Sequence, residues 1–140
     1  MKVSFTINGE PKGKGRPRVP KSGYAYTPED TVMYENLVKV EYKRQCGRVF
    51  FDKDIALDVR ITAYYGIPGS KSGKKKSLMQ DNVIRPTKKP DIDNICKIIC
   101  DSLNKLAYHD DSQIVDCQVR KFYSDRPRVV VTIAEARRIY

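Results

Sequence analysis

Two pairs of aspartates carry the chemistry this chain could perform: Asp91 and Asp93, on either side of Ile92, and the adjacent Asp110 and Asp111. Carboxylates held within about 4 Å of one another repel by roughly 4 kcal/mol per pair at an effective dielectric of 20. A single ammonium, that of Lys97, cannot cancel several such pairs, whereas a divalent cation can. Hard oxygen ligands, few in number, leave room for water and phosphate oxygens, which describes magnesium rather than a closed calcium cage. An EF-hand loop is excluded because Cys96 and Ser102 occupy the positions of its glycine and glutamate. Each piece also has a structural reading: Asp91 as a helix cap, Asp93 and Lys97 as a surface pair, Asp110-Asp111 as a turn.

The elements that must position these acids follow from periodicity. Isoleucine, leucine and cysteine recur at 92, 95, 96, 99, 100, 103 and 106, which predicts an amphipathic helix from about residue 92. Positions two apart on a helix point to nearly opposite sides, so Asp91 and Asp93 converge only if Asp91 precedes the helix. Pro90 disfavours helix before it and Asp91 is a good N-cap, so the chain is expected to arrive extended and turn at this pair. Both carboxylates then face the positive end of the helix dipole. Asp93, Lys97 and Asp101 follow at i, i+4 and i+8 along the polar stripe, and Asn104 is expected to end the helix in the left-handed conformation.

Beyond these spacings, Lys89-Pro90-Asp91-Ile92-Asp93-Asn94-Ile95-Cys96-Lys97, Asp101-Ser102-Leu103-Asn104 and Asp110-Asp111-Ser112-Gln113-Ile114-Val115 closely resemble the RusA family of Holliday-junction resolvases. Lys14-Gly15-Arg16-Pro17-Arg18 and Tyr24-Ala25-Tyr26-Thr27-Pro28 resemble its amino-terminal segment, and only residues 66–86 fall outside the likeness. The resemblance implies a homodimeric, Mg2+-dependent endonuclease, with Mn2+ able to substitute, that resolves four-way DNA junctions in recombination and repair. It implies Asp91, Asp93 and Asp111 as metal-binding catalytic carboxylates, Asp110 as an auxiliary and Lys97 as a cationic helper. Asn94 and Asp101 also belong to the family pattern, although roles in the helix entry and polar stripe explain them equally well. Lys105 departs from it, since relatives often carry glycine there, and this bears on the helix exit and the placing of Asp110-Asp111.

Charge separates the substrate-holding part from the acidic part. Of the net +10, residues 1–90 hold 19 Lys/Arg against 9 Asp/Glu, while residues 91–140 hold 8 against 8. That partition fits a polyanion held by one part and processed by the other. The expected DNA contacts are Lys14, Arg16 and Arg18 in a Gly/Pro-rich loop, Lys74, Lys75 and Lys76 in a second loop, and Lys88 and Lys89 before the acids. A chain of 140 residues is read as one domain, with basic flexible loops at about 8–27 and 66–89. No apolar run approaches membrane-spanning length and no signal-peptide plan opens the chain, so a cytoplasmic protein without a membrane partner is expected. Cys96 and Cys100 share the apolar helix face while Cys46 and Cys117 stand alone, which argues against a zinc site or disulfide framework.

In chain order, Lys2 to Ile7 alternates as a strand, and Thr27-Pro28-Glu29-Asp30 opens a helix through about Cys46 with Met33, Leu37 and Val40 as its buried side. Tyr24, Tyr26 and Tyr34 could stack on exposed bases, but tyrosine near a helix entry is more often a packing residue, and no role is assigned to them. Ile55 to Tyr65 alternates as the clearest strand; 115 to 123 and 129 to 133 are expected to pair as an antiparallel hairpin through Asp125-Arg126-Pro127. The sum is an α+β domain, two main helices on a small mixed sheet. A restriction-type nuclease would want Asp/Glu-x-Lys on an adjacent strand, and Glu41-Tyr42-Lys43 falls on a helix instead. A general structure-selective nicking nuclease and a non-enzymatic basic nucleic-acid-binding protein are the remaining alternatives; the second leaves the clustered acids unexplained.

Overall fold

Period-two alternation of apolar residues yields four strands, β1 (Lys2–Asn8), β2 (Leu57–Gly66), β3 (Ile114–Ser124) and β4 (Arg128–Glu135). A computed structural model describes residues 1–15, 19, 21, 23 and 28–137. The expected DNA contacts Arg16 and Arg18, the tyrosines Tyr24 and Tyr26 and the cap at Thr27 lie outside the described residues. The strands form one mixed sheet in the order β1-β4-β2-β3, with β4 antiparallel to both neighbours and β2 parallel to β3. The expected β3–β4 hairpin is therefore wrong. The two strands are consecutive in sequence, but β4 inserts between β1 and β2 while β3 takes the far edge, so the Asp125-Arg126-Pro127 turn bridges across β2.

One face of the sheet is apolar, with Phe5, Ile7, Leu57, Val59, Ile61, Ala63, Tyr65, Val129, Val131 and Ile133 all buried. Helices α1 (Glu29–Cys46) and α3 (Ile92–Ser102) cover it. At the sheet's β1 edge, the Gln45 side chain donates to the Thr6 carbonyl and accepts from the Thr6 amide, at 2.7 and 2.9 Å. At the β3 edge, Arg85 donates to the Lys121 carbonyl at 3.0 Å.

Three assignments of helical residues change. In α1 the buried side is Thr31, Tyr34, Val38 and Tyr42, whereas Met33, Leu37 and Val40 are exposed. Aliphatic counting passes over tyrosines, which can bury a ring and still bond the hydroxyl: Tyr42 meets Phe5 edge-on and donates to the Val49 carbonyl at 2.6 Å. Tyr34 is buried, which leaves its ring packed in the core and not available to stack on a base. In α3 the buried set is Ile95, Ile98, Ile99, Cys100 and Ser102, so Ile98 replaces the half-exposed Ile92. Residues 66–89, expected as loop, contain a helix α2 (Gly73–Gln80), capped by Ser72 accepting from the Lys75 amide and anchored by buried Met79. Two apolar residues in eight give too short a period to read.

The exit of α3 also differs. The left-handed residue is Lys105, at φ 66°, and not Asn104. Lys105 donates its amide to the Tyr108 carbonyl at 2.8 Å, closing the turn that leads to Asp110.

Candidate active site

Asp91 stands at the N-cap of α3 with extended backbone (φ −73°, ψ 158°), as convergence of the two acids requires. Its side chain makes no capping hydrogen bond, so the carboxylate is free for other partners. The preceding turn is fixed by Tyr65, which donates to the Pro90 carbonyl at 2.7 Å. Asp91 lines a cleft of about 860 Å³ together with Glu10, Lys12, Lys14, Lys88 and Lys89. Glu10 is committed structurally, accepting the Gly66 amide at 3.0 and 3.3 Å. Lys121, absent from the sequence expectations, approaches from β3: burial lowers its pKa and the Asp91 charge partly restores it. Its Nζ also donates to the Lys88 carbonyl at 2.6 Å.

The loop before α1 is ordered by close contact through residue 15. The Lys14 amide bonds to the Asn94 carbonyl and the Gly15 amide to Thr31 Oγ1. A Cβ on Gly13 would lie 2.8 Å from Pro90 Cβ, which explains a glycine at this crossing. The loop sends Lys14 inward, where Nζ meets Glu35 at 2.8 Å and Asp101 at 3.5 Å. Lys14, expected at phosphates, is thus an internal counter-charge.

Asp111 lies at the other end of α3. Burial and a side-chain hydrogen bond with Asp101 push its carboxyl above the usual range, helped by the Asp110 charge and opposed by a hydrogen bond from Asn104. Asp110 behaves oppositely: it caps the short turn 111–113 and Ser112 holds its carboxyl below the usual range. Asn104 Oδ1 is buried without a hydrogen-bond partner. Ten residues of helix, about 15 Å at 1.5 Å per residue, separate Asp91 from Asp101. The acids therefore form two groups, Asp91 with Asp93 at the head of the helix and Asp111 with Asp101 at its foot, and exposed Lys97 lies between them. Among the described residues no three His, Cys, Asp or Glu side chains gather into one metal-holding group.

The donor chemistry nevertheless fits hard cations. The Asp111 carboxyl, raised by burial and by neighbouring Asp101, and the unpartnered buried amide oxygen of Asn104 are hard oxygen donors in a basic protein. Asp101 and Asn104 are the residues that spacing undervalued; both sit in the stretch Asp101-Ser102-Leu103-Asn104, but only the folded exit of α3 brings them to Asp111. Lys74 and Lys75 are exposed on α2, Lys76 is half-buried, and Lys88 and Lys89 reach the cleft.

A family model described as endodeoxyribonuclease RusA matches residues 8–134. The chain is 37% identical over 136 residues to the uncharacterized protein YqaN of Bacillus subtilis (strain 168), covering 95% of this chain and 96% of that one. It is 30% identical over 99 residues to the crossover junction endodeoxyribonuclease rusA of Lactococcus phage r1t, covering 70% of this chain and 69% of the phage protein.

Proposed function

From the premise that the chain belongs to the RusA endodeoxyribonuclease family and is a nuclease, we propose that it resolves four-way DNA junctions by paired incisions, in DNA recombination and repair. The observation that carries the reading is the row of carboxyls along α3, Asp91 and Asp93 at its head and Asp101 with Asp111 at its foot, in a chain of net charge +10. These are the groups that would hold Mg2+ or Mn2+, with Asp110 orienting the turn that carries Asp111. When bound, the divalent cation supplies Lewis-acid stabilisation of the phosphoryl oxygens and lowers the pKa of a water.

The chain's own residues do the rest. Lys88 and Lys89 border the cleft on which Asp91 opens, where they meet the phosphate backbone. Lys97, between the two acidic groups, offsets charge that develops on the phosphoryl and leaving oxygens. Tyr65 and Lys14 hold the two ends of the acidic row in place, one through Pro90 and the other through Asp101.

Two like-polarity incisions need two sites, which a two-fold homodimer supplies. Support for that assembly comes from α1, whose exposed Met33, Leu37 and Val40 recur at helical spacing beside an apolar groove. Its first turn is acidic (Glu29, Asp30) and its last turn basic (Lys43, Arg44), so antiparallel pairing of two copies sets opposite charges against each other.

The deciding experiment is cleavage of a labelled synthetic four-way junction with and without Mg2+, with both incisions mapped. Symmetric cuts that need the metal are expected. Metal-independent cutting, or equal activity on linear duplex, would overturn the junction-resolving reading.

A further inference from the structure

Three of the four cysteines meet where α3 packs on β3. Cys96 Sγ lies 3.4 Å from Cys117 Sγ and 3.9 Å from Cys100 Sγ. Cys117, which stands alone in sequence, is brought there by strand register: it pairs with Val59 and so shares the helix-covered side of the sheet, at the exposed edge strand. Cys117 is exposed, Cys96 half-buried and Cys100 buried. No step in the nuclease chemistry uses them.

We propose that Cys96 and Cys117 are a site of reversible oxidation, joined as a disulfide by peroxides. The Cys96 thiolate attacks one peroxide oxygen and breaks the O–O bond, becoming a sulfenic acid as the other oxygen leaves and is protonated to water. The Cys117 sulfur then bonds to Cys96 sulfur, its thiol proton is lost, and the sulfenic oxygen departs as a second water. Two thiols lose two electrons and two protons, and hydrogen peroxide is reduced to two waters. Forming the bond closes the sulfurs from 3.4 Å to about 2.05 Å, a short movement for side chains already facing each other. Hydrogen bonds from the Cys100 and Cys117 thiols hold Cys96 well below an ordinary thiol, which favours the attacking thiolate.

The placement gives the bond a consequence, which rests on the nuclease reading. Cys96 follows Asp93 by one helical turn, and Cys117 lies on the strand that Asp111 leads into. A disulfide therefore ties together the two segments that carry the acids and restrains their spacing. Misplacement on the scale of 1 Å slows catalysis by on the order of tenfold to a hundredfold.

The test treats the purified chain with graded hydrogen peroxide, blocks remaining thiols by alkylation and maps peptides by mass. A Cys96–Cys117 cross-link that forms at lower peroxide than any modification of Cys46, and that dithiothreitol reverses, is the expected result. Cross-links to Cys100 instead, or Cys96 oxidising no faster than Cys46, would overturn the proposal, and this readout needs no nuclease activity. In parallel, oxidised protein is expected to cut junctions about tenfold or more slowly than reduced protein, with Cys117→Ser insensitive to peroxide. A cross-link without that slowing removes the coupling and leaves the disulfide standing; a reduced protein that never cuts overturns the nuclease reading alone.

Discussion

Lys14 Nζ lies 3.5 Å from Asp101 Oδ2 and 2.8 Å from Glu35 Oε2, so one ammonium ties the amino-terminal loop to the foot of α3 and to α1. The side chains of Lys14, Glu35 and Asp101 are 20%, 17% and 28% exposed, which puts the pairs between the weak surface case and the costly buried one. Lys14→Ala is expected to lower unfolding stability by about 1–2 kcal/mol, read from urea midpoints. It should leave the salt dependence of DNA binding unchanged. A flattened salt slope with unaltered stability would return Lys14 to the phosphate-contacting set.

The carboxyl row makes a sharper demand. Asp91→Asn, Asp93→Asn and Asp111→Asn are each expected to cut junction cleavage by on the order of a hundredfold or more, with binding retained because the basic surface is untouched. Asp101→Asn tests the contact with Asp111 and should also slow cleavage. Gel-shift and cleavage assays on the same junction separate the two effects; full activity in any variant would remove that residue from the site.

Lys74, Lys75 and Lys76 lie on a capped helix rather than a free loop. If α2 lies against DNA, affinity should fall roughly a thousandfold between 50 and 200 mM salt, and neutralising the three lysines should reduce that slope by about one unit for each phosphate they had neutralised. Fluorescence anisotropy across a salt series measures it. An unchanged slope would leave Lys88, Lys89 and Lys121 as the cations that count.

Leu37→Glu places a charge in the centre of the exposed α1 stripe, at little cost to the monomer since Leu37 is already 40% exposed. Light scattering is expected to show a shift from dimer to monomer with the thermal midpoint of the monomer preserved. A dimer that survives the substitution would move the interface off α1.

Lys105 holds φ 66°, a conformation that costs a residue bearing a Cβ about 1 kcal/mol or more. Lys105→Gly is expected to stabilise the chain by up to about 1 kcal/mol, since relief of that strain exceeds the added freedom of the unfolded state. A lower urea midpoint would mean that the contact of Lys105 Nζ with His109, at 3.3 and 3.4 Å, outweighs the strain.

Sequence made the head of α3 legible because Pro90, Asp91 and the apolar period each act locally, and the extended Asp91 follows from them. It also disclosed the four strands, since each alternates at period two. What it could not disclose depends on partners distant in sequence. Nothing near Asp125 says that β4 will slip between β1 and β2, and nothing near Lys14 names Glu35 and Asp101 as its neighbours. Tyr34 and Tyr42 misdirected the reading of α1, because a tyrosine counts as polar on a one-dimensional scale even where its ring is buried. The foot of the site was hidden because it too depends on distant partners: Asp101 and Asp111 meet only once Lys105 has turned the chain back.

The Gln45 side chain, bonded to both the amide and the carbonyl of Thr6, does for β1 what a fifth strand would do. An open strand edge is a template on which any extended chain can grow, and a basic protein working among other unfolding or nascent chains would be exposed to such growth. One glutamine amide carries the same donor and acceptor pair as a peptide group, so it terminates the ladder at Thr6, and the Arg85 guanidinium takes up the Lys121 carbonyl at the opposite edge. Each margin of the sheet thus has a point at which a side chain, and not another strand, takes up the backbone: Thr6 on β1 through Gln45 and Lys121 on β3 through Arg85.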